Sequence, residues 1–384
     1  MKTHTPWRTF YLPLVLSCSL PAVVRAQFGY DPNPDQTATL VHYAGDGGAV
    51  TIPSTINRLT VTKIGNYVFR FNTSVTSIAI PDSVTRMGLE VFRGCSGLTN
   101  VTLGNTTTNL GDGAFAGCAS LAAVAIVDSV AIIGNYGFSE CSSLSRVTMG
   151  SGVTHIGAAA FQYCANLTDL TLGRSISNIG GYAFGGCTSL GMVRIPDSVT
   201  EVEDSAFSGC SNVTSLMIGK GVTNIGRNAF FGCRGLTNLT IGCGVSNIGE
   251  GAFSRCTNSL NSIYFKGDAL DLGPFAFAPS YATVYYLPGM SGWGATFGGL
   301  RTSTWILPYP LMLKSGSSFG GQSNRFGFIV SWATNLPVVV EASANLLDPV
   351  WQPLHTNGLD TGSFSFSNPE WTNYPARFYR VRWP

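Results

Sequence analysis

One interval dominates this chain. Cysteine stands at Cys95, Cys118, Cys141, Cys164, Cys187, Cys210, Cys233 and Cys256, always 23 residues apart. Phenylalanine keeps the same beat from Phe69 through Phe92, Phe115, Phe138, Phe161, Phe184, Phe207 and Phe230 to Phe253, and Phe277 follows one residue late. A fixed period of about 20–50 residues marks a stack of like units, because one such unit cannot bury its own apolar side. The chain has 384 residues, but an array lengthens without enlarging a single core, so length alone does not count domains here.

With each cysteine as position 0, apolar residues fall at +3, +6, +8, +12 and +15, then Gly at +16, Ala at +19 and Phe at +20. In the coil from Cys164 these are Leu167, Leu170, Leu172, Ile176, Ile179, Gly180, Ala183 and Phe184. The +6/+8 pair has strand spacing, so +6 and +8 point inward and +5 and +7 outward. Gly at +16 suggests a turn with positive φ. The short segment from Ala-Phe to Cys reads as a helical or 3₁₀ turn that swings Phe and Cys inside. Coils stacked at roughly 4.8 Å would give an internal cysteine ladder beside an internal phenylalanine ladder. Free cysteine suits that place, being small and usually buried. Export would permit disulfides instead. Side chains in register point in parallel, which fits poorly with the roughly 90° S–S dihedral, so reduced thiols are the favoured expectation. The ladder lacks the paired cysteines or histidine partners of a zinc site.

The pattern resembles the BspA-like leucine-rich repeats, with "CSSLSRVTMGSGVTHIGAAAF" from Cys141 to Phe161 as a typical coil. The resemblance covers about residues 47–277. It implies a β-rich, right-handed solenoid of about ten 23-residue coils with a parallel sheet along one side, and a surface or secreted role in adhesion or recognition. Departures are few: Asn72 replaces the first cysteine, Thr107 an aliphatic at +12, Glu203 a glycine at +16, and one extra residue follows Cys256.

Residues 1–26 read as a secretory signal. Lys2 and Arg8 precede the apolar run "FYLPLVLSCSLPAVV", and "VRA" stands before Gln27. A lipid anchor at Cys18 and a retained membrane anchor are the competing readings. Residues 27–46 should cap the first coil, 47–290 form the solenoid, and 291–320 make a second cap and a linker. Residues 321–384 contain five short strand patterns, "FGFIVSW", "PVVVEAS", "WQPLHT", "GSFSFSN" and "RFYRVRW", and read as a small all-β, sandwich-like module. The closing stretch resembles tails of secreted proteins of Verrucomicrobia.

Charge excludes some partners. Only 11% of residues are charged, and the net charge is +2, or −1 once Lys2, Arg8 and Arg25 leave with the signal. That offers no basic field for nucleic acid. No run after the signal approaches a membrane span. "GSSFG" at Gly316–Gly320, with Asp348 and His355 after it, follows the order of a serine hydrolase, but it lies in a Ser/Gly-rich linker rather than on a strand-to-helix elbow. Asp268 and Asp271 lack the spacing of a calcium loop. Asp82, Asp128 and Asp197 recur in turn sequences, where Asp bonds its own backbone. The six N-x-S/T sites would accept glycans only in a eukaryotic secretory pathway.

The expectation is therefore a non-enzymatic protein without cofactor or metal, extracellular or on the cell surface and monomeric, binding a protein or polysaccharide. The alternative is a structural matrix component without a specific ligand. Most outward +5 and +7 residues are small and polar. Arg146, Asp169, Met192, Arg194 and Met217 break that rule over four consecutive coils, and they form the candidate ligand face, since Arg and Met are enriched at interface cores.

Overall fold

The computed structural model describes residues 27–256 and 260–305 and, further on, 311–313, 320–322, 325–331, 337–346, 349–358, 363–373 and 376–382. Residues 1–26, with Cys18, and Ser318 and Asp348 lie outside the described residues.

The repeat folds as a β-solenoid. One row of parallel strands occupies +5 to +8 of each coil, from Gly48–Thr51 to Leu300–Thr304. Register advances by one period from strand to strand, as in Ala123↔Arg146 and Arg146↔Asp169. A second parallel sheet, not foreseen from the sequence, is built from two-residue strands at +14/+15. It runs from Arg86–Met87 to Asp271–Leu272 and joins the amino-terminal strands. The reason is visible in the columns: +15 is aliphatic and buried, while +14 is outward, so two residues suffice for strand alternation.

The turn segment is not helical. Hydrogen bonds of the i→i+3 kind occur, such as the Cys95 amide to the Phe92 carbonyl at 3.1 Å. The backbone breaks into positive φ twice per coil, at +18 (Tyr136, 56°; Tyr182, 56°) and at +22 (Gly94, 70°; Gly186, 73°). The glycine at +16 was also misread. Its φ is not positive; a β-carbon on Gly111 would stand 2.0 Å from the Gly88 carbonyl oxygen of the preceding coil. Close approach of two backbones, not turn conformation, excludes a side chain there.

Both ladders are internal. The rings from Phe69 to Phe277 stack with centroids 4.9–5.3 Å apart. All eight ladder cysteines are buried free thiols. Each Sγ donates to the carbonyl of the phenylalanine one coil back, as Cys118 to Phe92 and Cys141 to Phe115 at 3.1 and 3.2 Å. That carbonyl also accepts its own coil's cysteine amide, as Phe92 does from Cys95, so both lone pairs of a buried oxygen are used. Buried Thr107 donates its hydroxyl to the Val84 carbonyl at 3.1 Å, which lets a polar residue stand in an aliphatic column. The turn aspartates bond forward to the next coil rather than to their own backbone: Asp82 accepts from the Asn105 amide and Asp128 from the Ser151 amide, both at 2.7 Å.

The ends are closed by aromatic side chains. Strands Phe28–Pro32 and Thr37–Tyr43 form an antiparallel hairpin that lays Tyr43 on Phe69, ring centroids 4.6 Å apart. At the other end Trp293 and Phe297 pack edge-on against Phe265. Among the described C-terminal residues all five expected strands form, in two antiparallel groups. Arg325–Ser331 pairs with Ser363–Asn368, and Val338–Ser343 pairs with Gln352–Asn357 and Phe378–Arg382. Strands Leu311–Leu313 and Gly320–Gln322, in the stretch expected to be linker, also pair with Arg325–Ser331. Phe328, Val330, Val338, Val340 and Phe366 make a separate small core.

Two outcomes follow. Phe184→Ala should cost roughly 3–5 kcal/mol as a large-to-small change in a packed row. Thr171→Ala, on the exposed face, should stay within about 0.5 kcal/mol; equal melting shifts for the two variants would contradict the ring ladder.

The thiols add a pH dependence. Burial pushes Cys95, Cys141 and Cys210 up to about 12, and moves Cys118, Cys164 and Cys187 in the same direction. The folded state thus holds its protons more tightly than the unfolded chain. Stability should be unaffected below about pH 8.5 and fall as pH rises toward 12, by about 1.4 kcal/mol per pH unit for each such thiol. Denaturation midpoints at pH 7 and 10.5 should separate, and Cys141→Ala should narrow the separation. Under native conditions half-buried Cys243 should be the first thiol alkylated; prior reaction at Cys141 would contradict the ladder.

Candidate ligand-binding face

Strand alternation places the five candidate residues outward. Arg146, Asp169, Met192, Arg194 and Met217 are all exposed, Met192 by 70% and Met217 by 41%. They do not form one patch. Arg146 and Asp169 are cross-strand neighbours, and the Arg146 Nε donates to the Asp169 carboxylate at 2.8 Å, so each neutralises the other. Met192, Arg194 and Met217 belong to the next stretch of sheet, where Arg194 stands opposite Met217.

The strand row is interrupted between these groups. Asp169–Thr171 and Met192–Ile195 do not pair. The rest of the two coils stays in register: the Ser189 amide reaches the Ala165 carbonyl at 3.1 Å, Asn178 pairs with Glu201, and Phe161 stacks on Phe184 at 5.3 Å. The opening is therefore a wedge on the strand side alone. It is a cavity of about 610 Å³ whose lining includes Leu170, Leu172, Arg174, Arg194, Pro196 and Ser198. Leu170 and Leu172, expected inside, are only half-buried because they form its wall.

The interruption coincides with a local change in sequence. At +4 most coils carry a hydroxyl that donates to the +4 carbonyl one coil back: Thr99 to Thr76, Ser145 to Ala122, Thr168 to Ser145, Thr214 to Gly191 and Thr237 to Thr214, at 2.9–3.2 Å. Ala122 and Gly191 have no hydroxyl. The strand row is unpaired at those two junctions, between Asn100–Thr102 and Ala123–Ile126 and at the wedge. The Cys187 coil also has Pro196 at +9, where Gly150 donates its amide to the Ile126 carbonyl; Pro81 at +9 of the Asn72 coil leaves its strand paired on both sides, so what sets the Cys187 coil apart is Pro196 together with Gly191. The Cys118 coil keeps an amide at +9 (Val127), and its inward Val101 and Leu103 neighbours remain buried. The +4 column alone does not mark such sites, since Asn261 and Ala282 also lack a hydroxyl there while Ser262–Phe265 pairs with the strands on both sides.

A second groove, of about 660 Å³, lies on the turn edge, where exposed Tyr67, Phe71 and Tyr136 flank small residues such as Gly94 and Gly117. Arg70 lies over the Tyr67 and Phe71 rings and pairs with Glu90 at 2.9 Å. Its signal was aromatic residues at +18 and +22.

Among the described residues no three of His, Cys, Asp and Glu converge as metal ligands. Asp268 accepts the Ser291 amide at 2.7 Å. His155 and His355 are exposed on strands. No helix among the described residues is long and apolar enough to cross a membrane.

Comparison with curated proteins finds no match. Among solved structures, the chain is similar to a leucine-rich repeat protein of T. pallidum at 29% identity, covering 55% of this chain and 88% of that one, with a TM-score of 0.41. It is also similar to a leucine-rich cell surface protein of Faecalibacterium prausnitzii (23% identity, 73% and 94% covered, TM-score 0.39) and to the pneumococcal vaccine antigen PcpA (16%, 72% and 86%, 0.42). The BspA type leucine rich repeat region matches residues 62–191 and 154–284 in six copies. The tandem 23-residue coils, with their cysteine and phenylalanine rows, place this chain in the BspA-type leucine-rich repeat family.

Proposed function

We propose that the protein is exported by its first 26 residues and serves outside the cell or on its surface as a non-catalytic adhesion or recognition protein. Its ligand, a protein or a polysaccharide, is held on the outward face of the strand row. The observation that carries this reading is the adjacent exposure of Met192, Arg194 and Met217 on one hydrogen-bonded sheet. Elsewhere the face is mostly short and polar, apart from the mutually neutralised Arg146–Asp169 pair and, toward its far end, Tyr264 and Tyr285, which stack on each other. Two exposed thioethers beside a cation without a carboxylate partner among the described residues form adaptable apolar surface with a charge to orient a ligand. The stack beneath is rigid, so the face is organised before the ligand arrives and little ordering entropy opposes binding. No bond is made or broken.

Displaying the chain without residues 1–26 on glycan and host-protein arrays should identify a ligand. Arg194→Glu and Met217→Ala should each weaken its capture by about tenfold or more. Their melting temperatures should match the parent, because neither side chain is packed. Asn228→Asp, on the turn edge, should leave capture unchanged. Equal loss from all three substitutions would contradict the strand face. Self-assembly of the chain with no ligand on either array would favour a matrix component.

A further inference from the structure

We propose that the wedge between the Cys164 and Cys187 coils is a docking slot for an extended acidic peptide segment of a protein partner, which enters as an added strand between Asp169–Thr171 and Met192–Ile195. The proposal rests on the strand face being the binding surface and names the partner class for its centre. The two facing strands each turn an unpaired backbone edge into the wedge. In the neighbouring coils the +4 amide donates to the preceding +4 carbonyl, as Thr168 to Ser145 and Thr214 to Gly191. No such bond runs from the Gly191 amide to the Thr168 carbonyl. Edges of this kind are completed by main-chain hydrogen bonds from another strand. A polysaccharide has no matching row of alternating donors and acceptors.

The wedge walls fit the two faces of such a strand. Its inward side chains would meet Leu170 and Leu172, which are half-buried where the equivalent Val147, Val193 and Leu216 are fully covered. The Ser198 hydroxyl is buried without a partner at the wedge wall; Ser83 shares that state in the other Pro-Asp-Ser-Val turn, whereas Ser129 donates to the Thr107 carbonyl at 2.7 Å. A buried hydroxyl left unpaired is unfavourable until something bonds it. Charge sets the sign. Asp169 is paired with Arg146, and Asp197 with Lys220 at 3.7 Å. Asp197 also lines the wedge, but Arg174 and Arg194, both exposed, have no carboxylate partner among the described residues, so the rim is net positive. At roughly 3.3 Å per residue, the facing strands offer room for about four residues of partner. An acidic side chain belongs level with Thr171 and Arg194, with apolar ones before and after it.

The test uses a fluorescein-labelled peptide, Thr-Val-Glu-Val-Glu-Val-Thr, and the chain without residues 1–26. Fluorescence polarisation should show saturable binding, weakened about tenfold or more when both glutamates are lysine. Hydrogen exchange at 168–172 and 191–195 should slow in the complex. Gly191→Thr supplies the missing +4 hydroxyl at a position where a β-carbon meets nothing within 4 Å. It should close the strand row and abolish peptide binding while raising or preserving the melting temperature. Arg194→Glu should weaken binding without closing the row. No binding at about 1 mM peptide, equal binding of the lysine peptide, or full binding by Gly191→Thr would each overturn the slot. Array capture lost in Arg194→Glu but retained in Gly191→Thr, with no peptide binding, would overturn the slot and leave the strand-face reading standing. A dimer formed by the parent chain and abolished in Gly191→Thr would overturn it in favour of a second copy as occupant.

Discussion

Almost every residue in the array meets its own counterpart from the next coil at about one strand spacing, and the rest of the structure depends on that contact. It sets which side chains can exist at each position. A planar ring stacked on its copy fits the pitch, so phenylalanine recurs. A thiol is small enough to lie inside and can still donate to the carbonyl one coil back, so cysteine recurs beside it. The same contact explains where the row begins. Position 46, where an earlier phenylalanine would stand, is aspartate in the cap. The phenylalanine row thus begins at Phe69, with the Tyr43 ring of the cap on its outer side. Asn72 takes the place of cysteine and turns its side-chain oxygen forward to the Ser74 and Val75 amides at 3.1 and 3.2 Å.

Departures from the repeat are answered in adjoining coils rather than within their own. At +17 an amide donates to the +17 side chain one coil back, as Asn135 to Asp112 and Ala158 to Asn135, both at 2.8 Å. Ala158 has no acceptor to offer the Gly181 amide. The next coil supplies one: Glu203, which breaks the glycine column at +16, accepts that amide and the Asn178 side chain at 2.8 Å. An acid that looks like an isolated substitution thus completes a hydrogen bond lost two coils earlier. This is how near-neighbour coupling works in a one-dimensional stack.

The period made the inward columns legible, because a row of apolar residues at fixed spacing has one compatible geometry. Phe184, Cys164 and Ile179 stand where that reading put them. The errors came from explaining polar and glycine positions by local turn chemistry. Gly111 excludes a clash with Gly88, and Asp82 serves Asn105; both partners are 23 residues away, outside any local motif. The candidate face was half legible for the same reason. Alternation put Arg194 and Met217 outward, but nothing within the segment "GMVRIP" announces that its strand lacks a neighbour. That information lies in the comparison of Gly191 with Thr168 and Thr214.

A repeat can surrender part of one junction without unfolding because several rows cross each junction independently. Between Cys164 and Cys187 the phenylalanine stack, the thiol-to-carbonyl bond at 3.1 Å and the pairing of Ile179 with Val202 all persist while the strand row parts. The loss is confined to a few main-chain bonds, each of modest net worth, and the exposure of two leucines. In a globular domain a comparable gap would breach the single core. Here the ring, thiol and second-sheet rows continue through it and hold its walls in place. Recognition built on such a gap needs no loop and no moving part: the gap lies in the one cysteine-bearing coil that combines a residue without a hydroxyl at +4, Gly191, with a proline at +9, Pro196.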